Sequence, residues 1–136
     1  MKKPSYALFA LTALTLALST VIASQSAQSA PSARWATTFE HLTLPKDFKA
    51  MTVVVDFPPG AVFPLHSHGG PVVALVLEGE ITLVQGGVSV VYKAGQGFNE
   101  SVGQIHEARN KGSTKAAVVA TYLLPKGANP DIFVGK

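Results

Sequence analysis

The sequence predicts an all-β domain, built as an antiparallel sandwich or barrel. Short runs rich in β-branched residues recur about every ten positions, and turn signals separate them. Each of these runs ends near glycine or proline, which punctuate strands rather than continue them. After the N-terminal segment, no stretch of helical length has the apolar periodicity of a helix. These observations are typical of a single small antiparallel β domain.

Five runs are the predicted strands. They are residues 51–57, ending at Pro58-Pro59-Gly60; 72–78, ending at Gly79; 80–85, ending at Gly86-Gly87; 88–93, ending at Ala94-Gly95; and 115–124, ending at Pro125. Val, Ile, Thr and Tyr dominate these runs, and their side chains fit a pleated, partly buried surface. Residues 46–50 are expected to form a turn at most.

The predicted strand at residues 72–78, VVALVLE, is apolar on both faces. A strand with one face in water would alternate between apolar and polar residues. A second layer of the same barrel could cover the outer face, and so could a second copy of the chain in a homodimer. The sequence leaves both hypotheses open.

The N-terminus has the pattern of a signal peptide. Lys2 and Lys3 precede an apolar run, and small residues suitable for a signal peptidase follow. We therefore predict a signal peptide at residues 1–23 with cleavage between 23 and 30, a flexible linker at 24–33, and the β domain at 34–136. An uncleaved membrane anchor is the alternative, but a small polar tract follows the run in place of a charged stop. Export to a bacterial periplasm or beyond is the expectation.

Composition narrows the classes of function. Loss of Lys2 and Lys3 would lower the Lys and Arg count from 11 to nine against 8 Asp and Glu, so the formal charge would fall from +3 to +1. The remaining chain has no basic cluster, which argues against nucleic-acid binding, and no membrane contact is expected after signal cleavage. The chain has no cysteine. Any metal must therefore be held by His, Asp or Glu, and the partner is expected to be a small molecule.

The histidines are the candidate metal ligands. The chain has 4 histidines, and His66 and His68 stand one residue apart. In a strand these two side chains point to the same face, and His106 is the candidate for a third imidazole. Three imidazoles suit Zn, Fe, Ni, Cu or Mn and leave coordination positions open. The alternative is that the pair only lines a polar turn. His41 lies in a polar stretch and is expected to be exposed.

The spacing around these histidines forms two motifs. The first is Gly60-x5-His66-x-His68 with Gly79 at the end of the next run, and the second is Gly95-x5-Ser101-x-Gly103-x2-His106-x3-Asn110. Together they resemble the two motifs of the cupin superfamily over residues 60–110. The resemblance implies a single antiparallel jelly-roll barrel with a metal ion in its mouth.

Carried over position by position, the resemblance implies His66, His68 and His106 as metal ligands. The family's glutamate ligand falls on Val72, which cannot coordinate a metal, and Ser101 stands where the family has proline. A site without a carboxylate favours Fe, Zn, Ni or Cu over Mn as the single divalent ion. Three-histidine cupins include thiol and diketone dioxygenases that use iron, so a dioxygenase is compatible with this pattern.

The sequence also predicts the positions of several residues near the histidines. Glu100 could turn toward the metal, but a solvated carboxylate is the expectation, and Glu107 should face away from His106. Gln104 has the strand parity of His106 and could touch a ligand or water, whereas Asn110 should stabilise a turn. The mouth of the barrel should be apolar, with a lining from Phe63, Val72, Ala74, Val76 and Phe98.

The sequence therefore predicts an exported metal-binding cupin, either a small-molecule dioxygenase or a related metalloenzyme. No side chain is a convincing general base, so catalytic residues stay unassigned. The first alternative is a non-catalytic small-molecule or metal-binding protein of the cell envelope. The second is a structural domain whose site is vestigial.

Overall fold

A computed structural model describes residues 32–135 of the chain. Within that range it contains strands and no helix, which confirms the all-β prediction. The predicted signal peptide and nearly all of the predicted linker lie outside the described residues. No helix long and apolar enough to cross a membrane occurs between residues 32 and 135. The strands are β1 (Phe48–Phe57), β2 (Val62–Ser67), β3 (Val72–Glu78), β4 (Glu80–Gln85), β5 (Val88–Lys93), β6 (Gly97–Glu100), β7 (His106–Arg109), β8 (Ala116–Pro125) and β9 (Ile132–Phe133).

The strands form two antiparallel sheets. One sheet has the order β1-β8-β3-β6, and the other has the order β5-β4-β7-β2-β9. Neighbours in each sheet are distant in sequence except at the β4–β5 hairpin, as in a jelly roll. The bounds predicted for β3, β4 and β5 match those in the structure, while β1 begins earlier than predicted, at Phe48. Residues 48–50 are therefore strand, because they pair with residues 123–125 of β8.

The core lies between the two sheets. Alternate residues of β3 and β8 point inward from one sheet, and residues of β4 and β7 meet them from the other. The most deeply buried apolar side chains are Val72, Val76, Ile81, Ala116 and Leu124. Burial of this apolar surface is the main favourable contribution to folding. The metal-binding histidines predicted above lie at one end of this core.

The outer face of β3 is half-buried in the single chain. Val73, Leu75 and Leu77 form this face, and Val72, Ala74 and Val76 point into the core. Trp35, which precedes β1, packs closely against Gly95 in the turn between β5 and β6. The homodimer remains a prediction.

Candidate metal centre

Three imidazoles converge between β2 and β7. One ligand nitrogen from each of His66, His68 and His106 lies within 4.8 Å of the other two. All three side chains are buried, with exposed fractions of 3%, 2% and 0%. His66 pairs directly with His106 across the β2–β7 ladder, and His68 follows the last residue of β2. The structure thus brings together the three residues that the sequence pattern selected.

The same hydrogen-bond pattern orients all three imidazole rings. Nδ1 of His66 lies 2.7 Å from the carbonyl oxygen of Pro64, and Nδ1 of His106 lies 2.9 Å from that of Gln104. Nδ1 of His68 lies 2.8 Å from the carbonyl oxygen of Pro130. A carbonyl oxygen only accepts, so each Nδ1 carries the hydrogen. In the neutral ring, Nε2 then keeps its lone pair, which is the arrangement that fixes a histidine as a metal ligand.

Close backbone packing holds the loop after β2 in place. A Cβ atom on Gly70 would lie 2.2 Å from the carbonyl oxygen of Leu123, so only glycine fits there. The amide of Gly69 donates to the carbonyl of Asn129, and the carbonyl of His68 accepts from the amide of Gly103. These contacts fix the position of His68 beyond the end of its strand.

Glu100 lies inside the site, and the expectation of a solvated carboxylate was wrong. The residue is only 6% exposed. Its Oε2 lies 2.9 Å from Nε2 of His68, and its Oε1 lies 2.9 Å from Nε2 of His106. The reason is strand parity, because Phe98 and Glu100 of β6 point into the barrel while Asn99 points outward.

The charges of this cluster are strongly coupled. Burial alone would raise the pKa of Glu100, but the neighbouring imidazoles of His106 and His68 lower that pKa to about 2. Burial lowers the pKa of His66, and the neighbouring imidazoles lower it further. Burial also opposes the charging of His106, but the carboxylate of Glu100 outweighs it and raises the pKa of His106. The site therefore favours a charged carboxylate balanced by positive charge on its neighbours.

The donor set fits a transition metal ion. Nε2 of His106 is buried and has no hydrogen-bond partner, although it lies close to the Glu100 carboxylate. A metal ion bound there would give this buried nitrogen a partner. Three imidazole nitrogens are ligands suited to Zn, Fe, Ni, Cu or Mn. The residues present would hold such an ion.

Residues of the C-terminal segment contact the imidazoles of the site. Asp131 Oδ1 lies 3.2 Å from Nδ1 of His68 and accepts a hydrogen bond from the hydroxyl of Tyr122 at 3.3 Å. Burial, together with the nearby Asp131 charge, raises the pKa of Tyr122, so this hydroxyl stays a donor. The rings of Phe63 and Phe133 pack on His66, with centroids 4.6 and 5.9 Å from it. Tyr122, Asp131 and Phe133 belong to neither sequence motif and were not among the predicted site residues.

A cavity of about 50 Å³ adjoins the histidines. His66, His68 and Glu100 contribute its polar wall, and the rest is mainly apolar. Phe63, Ala74 and Phe98 line it as predicted, whereas Val72 and Val76 pack in the core without lining it. The volume is enough for a few water molecules or a ligand of a few atoms.

The remaining candidates lie elsewhere. His41 is exposed, next to Glu40, and Glu107 forms an ion pair with Arg109, so neither contributes to the site. The side chain of Gln104 accepts a hydrogen bond from the amide of Ser101 at 3.3 Å. Gln104 therefore reaches the site only through the carbonyl that holds His106.

The chain is similar in structure to several solved proteins. It superimposes on oxalate oxidase with 29% sequence identity and a TM-score of 0.55, over 62% of this chain and 46% of that protein. A predicted oxalate decarboxylase from Thermotoga maritima matches with 29% identity and a TM-score of 0.51, over 55% of this chain and 66% of that protein. A cupin superfamily protein from Desulfitobacterium hafniense shares the fold with 15% identity and a TM-score of 0.53, over 70% and 84% of the two chains. The chain spans about half the length of oxalate oxidase.

Comparison of the sequence with known proteins identifies the family of the chain. No curated protein matches the chain significantly. Residues 53–122, about half of the chain, match the family model of the Cupin domain. This range includes both histidine motifs and the strands that carry them. The chain belongs to the cupin family.

Proposed function

We propose that this chain is an exported metal-binding cupin that acts on a small molecule, as a dioxygenase or a related metalloenzyme. The observation that carries the proposal is the convergence of three buried imidazoles, each with its Nδ1 tied to a backbone carbonyl. This arrangement holds the rings in the geometry of ligands before any ion binds. Export rests on the signal-peptide pattern of residues 1–23.

The cavity limits the substrate to a small one. A bound divalent ion would act as a Lewis acid with open positions for water, dioxygen or a chelating substrate. The chain itself supplies a pocket of about 50 Å³ with mainly apolar walls beside those positions. Such a pocket suits dioxygen or a ligand of a few atoms. The likeness to oxalate oxidase and to a predicted oxalate decarboxylase supports small carboxylates as one substrate class.

A non-catalytic binding protein of the cell envelope is the second candidate. The mainly apolar wall of the cavity and the valine at position 72, where the motif has a glutamate, favour it. In that case the histidines would bind the metal ion as cargo or as a structural element. Oxygen uptake separates the two functions. Metal-loaded protein given small diketones, small thiols or oxalate should consume oxygen if it is an oxygenase. Binding without oxygen uptake would identify the second candidate.

Metal content tests the proposal directly. Protein purified without chelators is expected to contain about one transition metal ion per chain, because three preorganised imidazoles bind such ions tightly. The variant His66→Ala/His68→Ala should lose this metal, since one imidazole alone is a weak ligand. Metal content is measured by inductively coupled plasma mass spectrometry.

The control for the metal analysis is His41→Ala, which removes an exposed histidine away from the site. Its metal content should equal that of the unmodified chain. Equal metal content in the double variant would show that the ion binds elsewhere. Absence of metal from the unmodified chain, even after incubation with Fe(II), Zn and Mn, would show that the site is vestigial.

A further inference from the structure

Glu100 is the direct cross-strand neighbour of Val72. In the antiparallel pairing of β3 with β6, Val72 lies opposite Glu100, and on the other side of β3 it lies opposite Tyr122. Residues directly opposite in such a ladder point to the same face of the sheet, with Cβ atoms about 5 Å apart. Val72 is the position at which the cupin motif places its glutamate. The structure therefore has a carboxylate one strand away from the motif position, on the same inner face.

The hydrogen bonds of the site leave a place for a cation between Glu100 and the imidazoles of His68 and His106. Each Nδ1–H of the three histidines is already donated to a carbonyl oxygen, so a neutral ring presents only a lone pair at Nε2. An ionised carboxylate also presents only lone pairs. Yet Nε2 of His68 and of His106 each lie 2.9 Å from an oxygen of Glu100. Two lone pairs at this distance repel each other unless a cation lies between the nitrogen and the oxygen. That cation is either a proton or a metal ion.

The spacing of these atoms also suits two ligands of one ion. Ligands about 2.1 Å from a metal and at right angles to each other are about 3 Å apart. The two separations of 2.9 Å between Glu100 and the imidazoles agree with this value. In addition, both ion pairs that Glu100 forms within residues 32–135 are to imidazoles of the site. A buried carboxylate without lysine or arginine beside it is costly unless a cation compensates it.

We propose that Glu100 is the fourth metal ligand of this cupin and replaces the glutamate lost at Val72. This inference rests on the proposed function, because it presupposes an ion on His66, His68 and His106. The site then has three imidazoles and one carboxylate, with the carboxylate supplied by β6 instead of β3. It follows that Mn, which prefers oxygen ligands, binds better than a three-histidine site would allow.

Metal affinities of Glu100→Gln test this assignment. The amide keeps the size of the side chain and removes the negative charge. We expect the affinity for Mn to fall at least tenfold and the affinity for Zn to fall less, because the softer ion depends more on the imidazoles. Competition titrations with a chromophoric chelator measure both ions on the same protein. The matched control is Glu107→Gln, which removes another buried carboxylate that pairs with Arg109 outside the site and should leave both affinities unchanged.

A double exchange tests whether the two positions are equivalent. Val72→Glu/Glu100→Val returns the carboxylate to the motif position, and it should recover most of the Mn affinity that Glu100→Val alone loses. Melting curves of the metal-free variants identify any that fail to fold, and Glu100→Gln provides the test if the exchange is one of them.

The outcomes separate this proposal from the one on which it rests. Equal affinities in Glu100→Gln and the unmodified chain would overturn Glu100 as a ligand. So would an equal loss for Mn and Zn, which is what a residue that only orients the imidazoles would produce. A folded double exchange without recovery would overturn the equivalence of the two positions. An unmodified chain that binds neither Mn nor Zn, and does not bind Fe(II) either, would overturn the proposed function itself.

Discussion

Removal of the metal with a chelator is expected to lower the melting temperature of this protein by about 15 °C or more. The proposed ligands come from both sheets, because His66 and His106 lie in β2 and β7 while Glu100 lies in β6. An ion bound to all of them would link the sheets across the end of the barrel. Metal at about a thousand times its dissociation constant adds about 4 kcal/mol to the free energy of unfolding. For a domain of this size, each kcal/mol raises the melting temperature by about 4–8 °C.

Differential scanning calorimetry with and without EDTA measures this shift. The variant His66→Ala/His68→Ala is the control, and its melting temperature should be low and insensitive to EDTA. Added Zn or Mn should restore the melting temperature of the chelated unmodified protein. A melting temperature that EDTA leaves unchanged, in protein shown to contain metal beforehand and none afterwards, would contradict a stabilising role for the ion.

Strands with clear local signals could be predicted from the sequence. The β3, β4 and β5 bounds follow from β-branched runs that end at Gly79, Gly86-Gly87 and Gly95, all of which have positive φ in the structure. Positive φ is a backbone conformation that favours glycine, so these residues mark turns reliably. The three histidines could also be identified from the sequence. His66 and His68 stand one residue apart, and His106 has the position of a ligand in the second motif.

Glu100 could not be placed from local signals. Its strand, β6, is the short segment GFNE, which lacks β-branched residues and was not predicted. Its role depends on the register between β3 and β6, which joins residues that are distant along the chain. The carbonyls of Pro64, Gln104 and Pro130 escape sequence analysis for a similar reason, since a backbone acceptor is present in every residue. Long-range pairing, not residue type, decides these contacts.

The departure at Val72 shows why a motif is best interpreted on the structure. Read along the chain, valine in place of glutamate indicates a weakened site. Read across the sheet, Val72 is a core residue with 1% exposure, flanked by Glu100 and Tyr122 on the neighbouring strands. The inner face can therefore keep a carboxylate beside the histidines although the motif position has lost it.

Asn110, the last residue of the second motif, joins three segments of the fold. Its side-chain amide donates hydrogen bonds to the carbonyls of Phe57, Pro58 and Thr114 at 2.9, 3.2 and 2.8 Å. Its Oδ1 accepts from the amide of Gly112 at 2.9 Å, and the side chain is only 2% exposed. The expectation that Asn110 stabilises a turn is confirmed. Because it directly follows β7, it also fixes the far end of the strand that begins at His106.

Asn110→Asp is expected to lower the free energy of unfolding by about 4 kcal/mol. The carboxylate keeps the shape of the side chain but cannot donate, so buried carbonyls lose their partner at about 1–3 kcal/mol each. The negative charge would also face carbonyl oxygens in a buried environment. Urea denaturation of the metal-free protein measures the loss. The control is Asn99→Asp, the same change on the outward face of β6, which should cost less than about 0.5 kcal/mol. A loss below about 1 kcal/mol at Asn110 would show that these hydrogen bonds contribute little, and that β7 is held in place mainly by its pairing with β2 and β4.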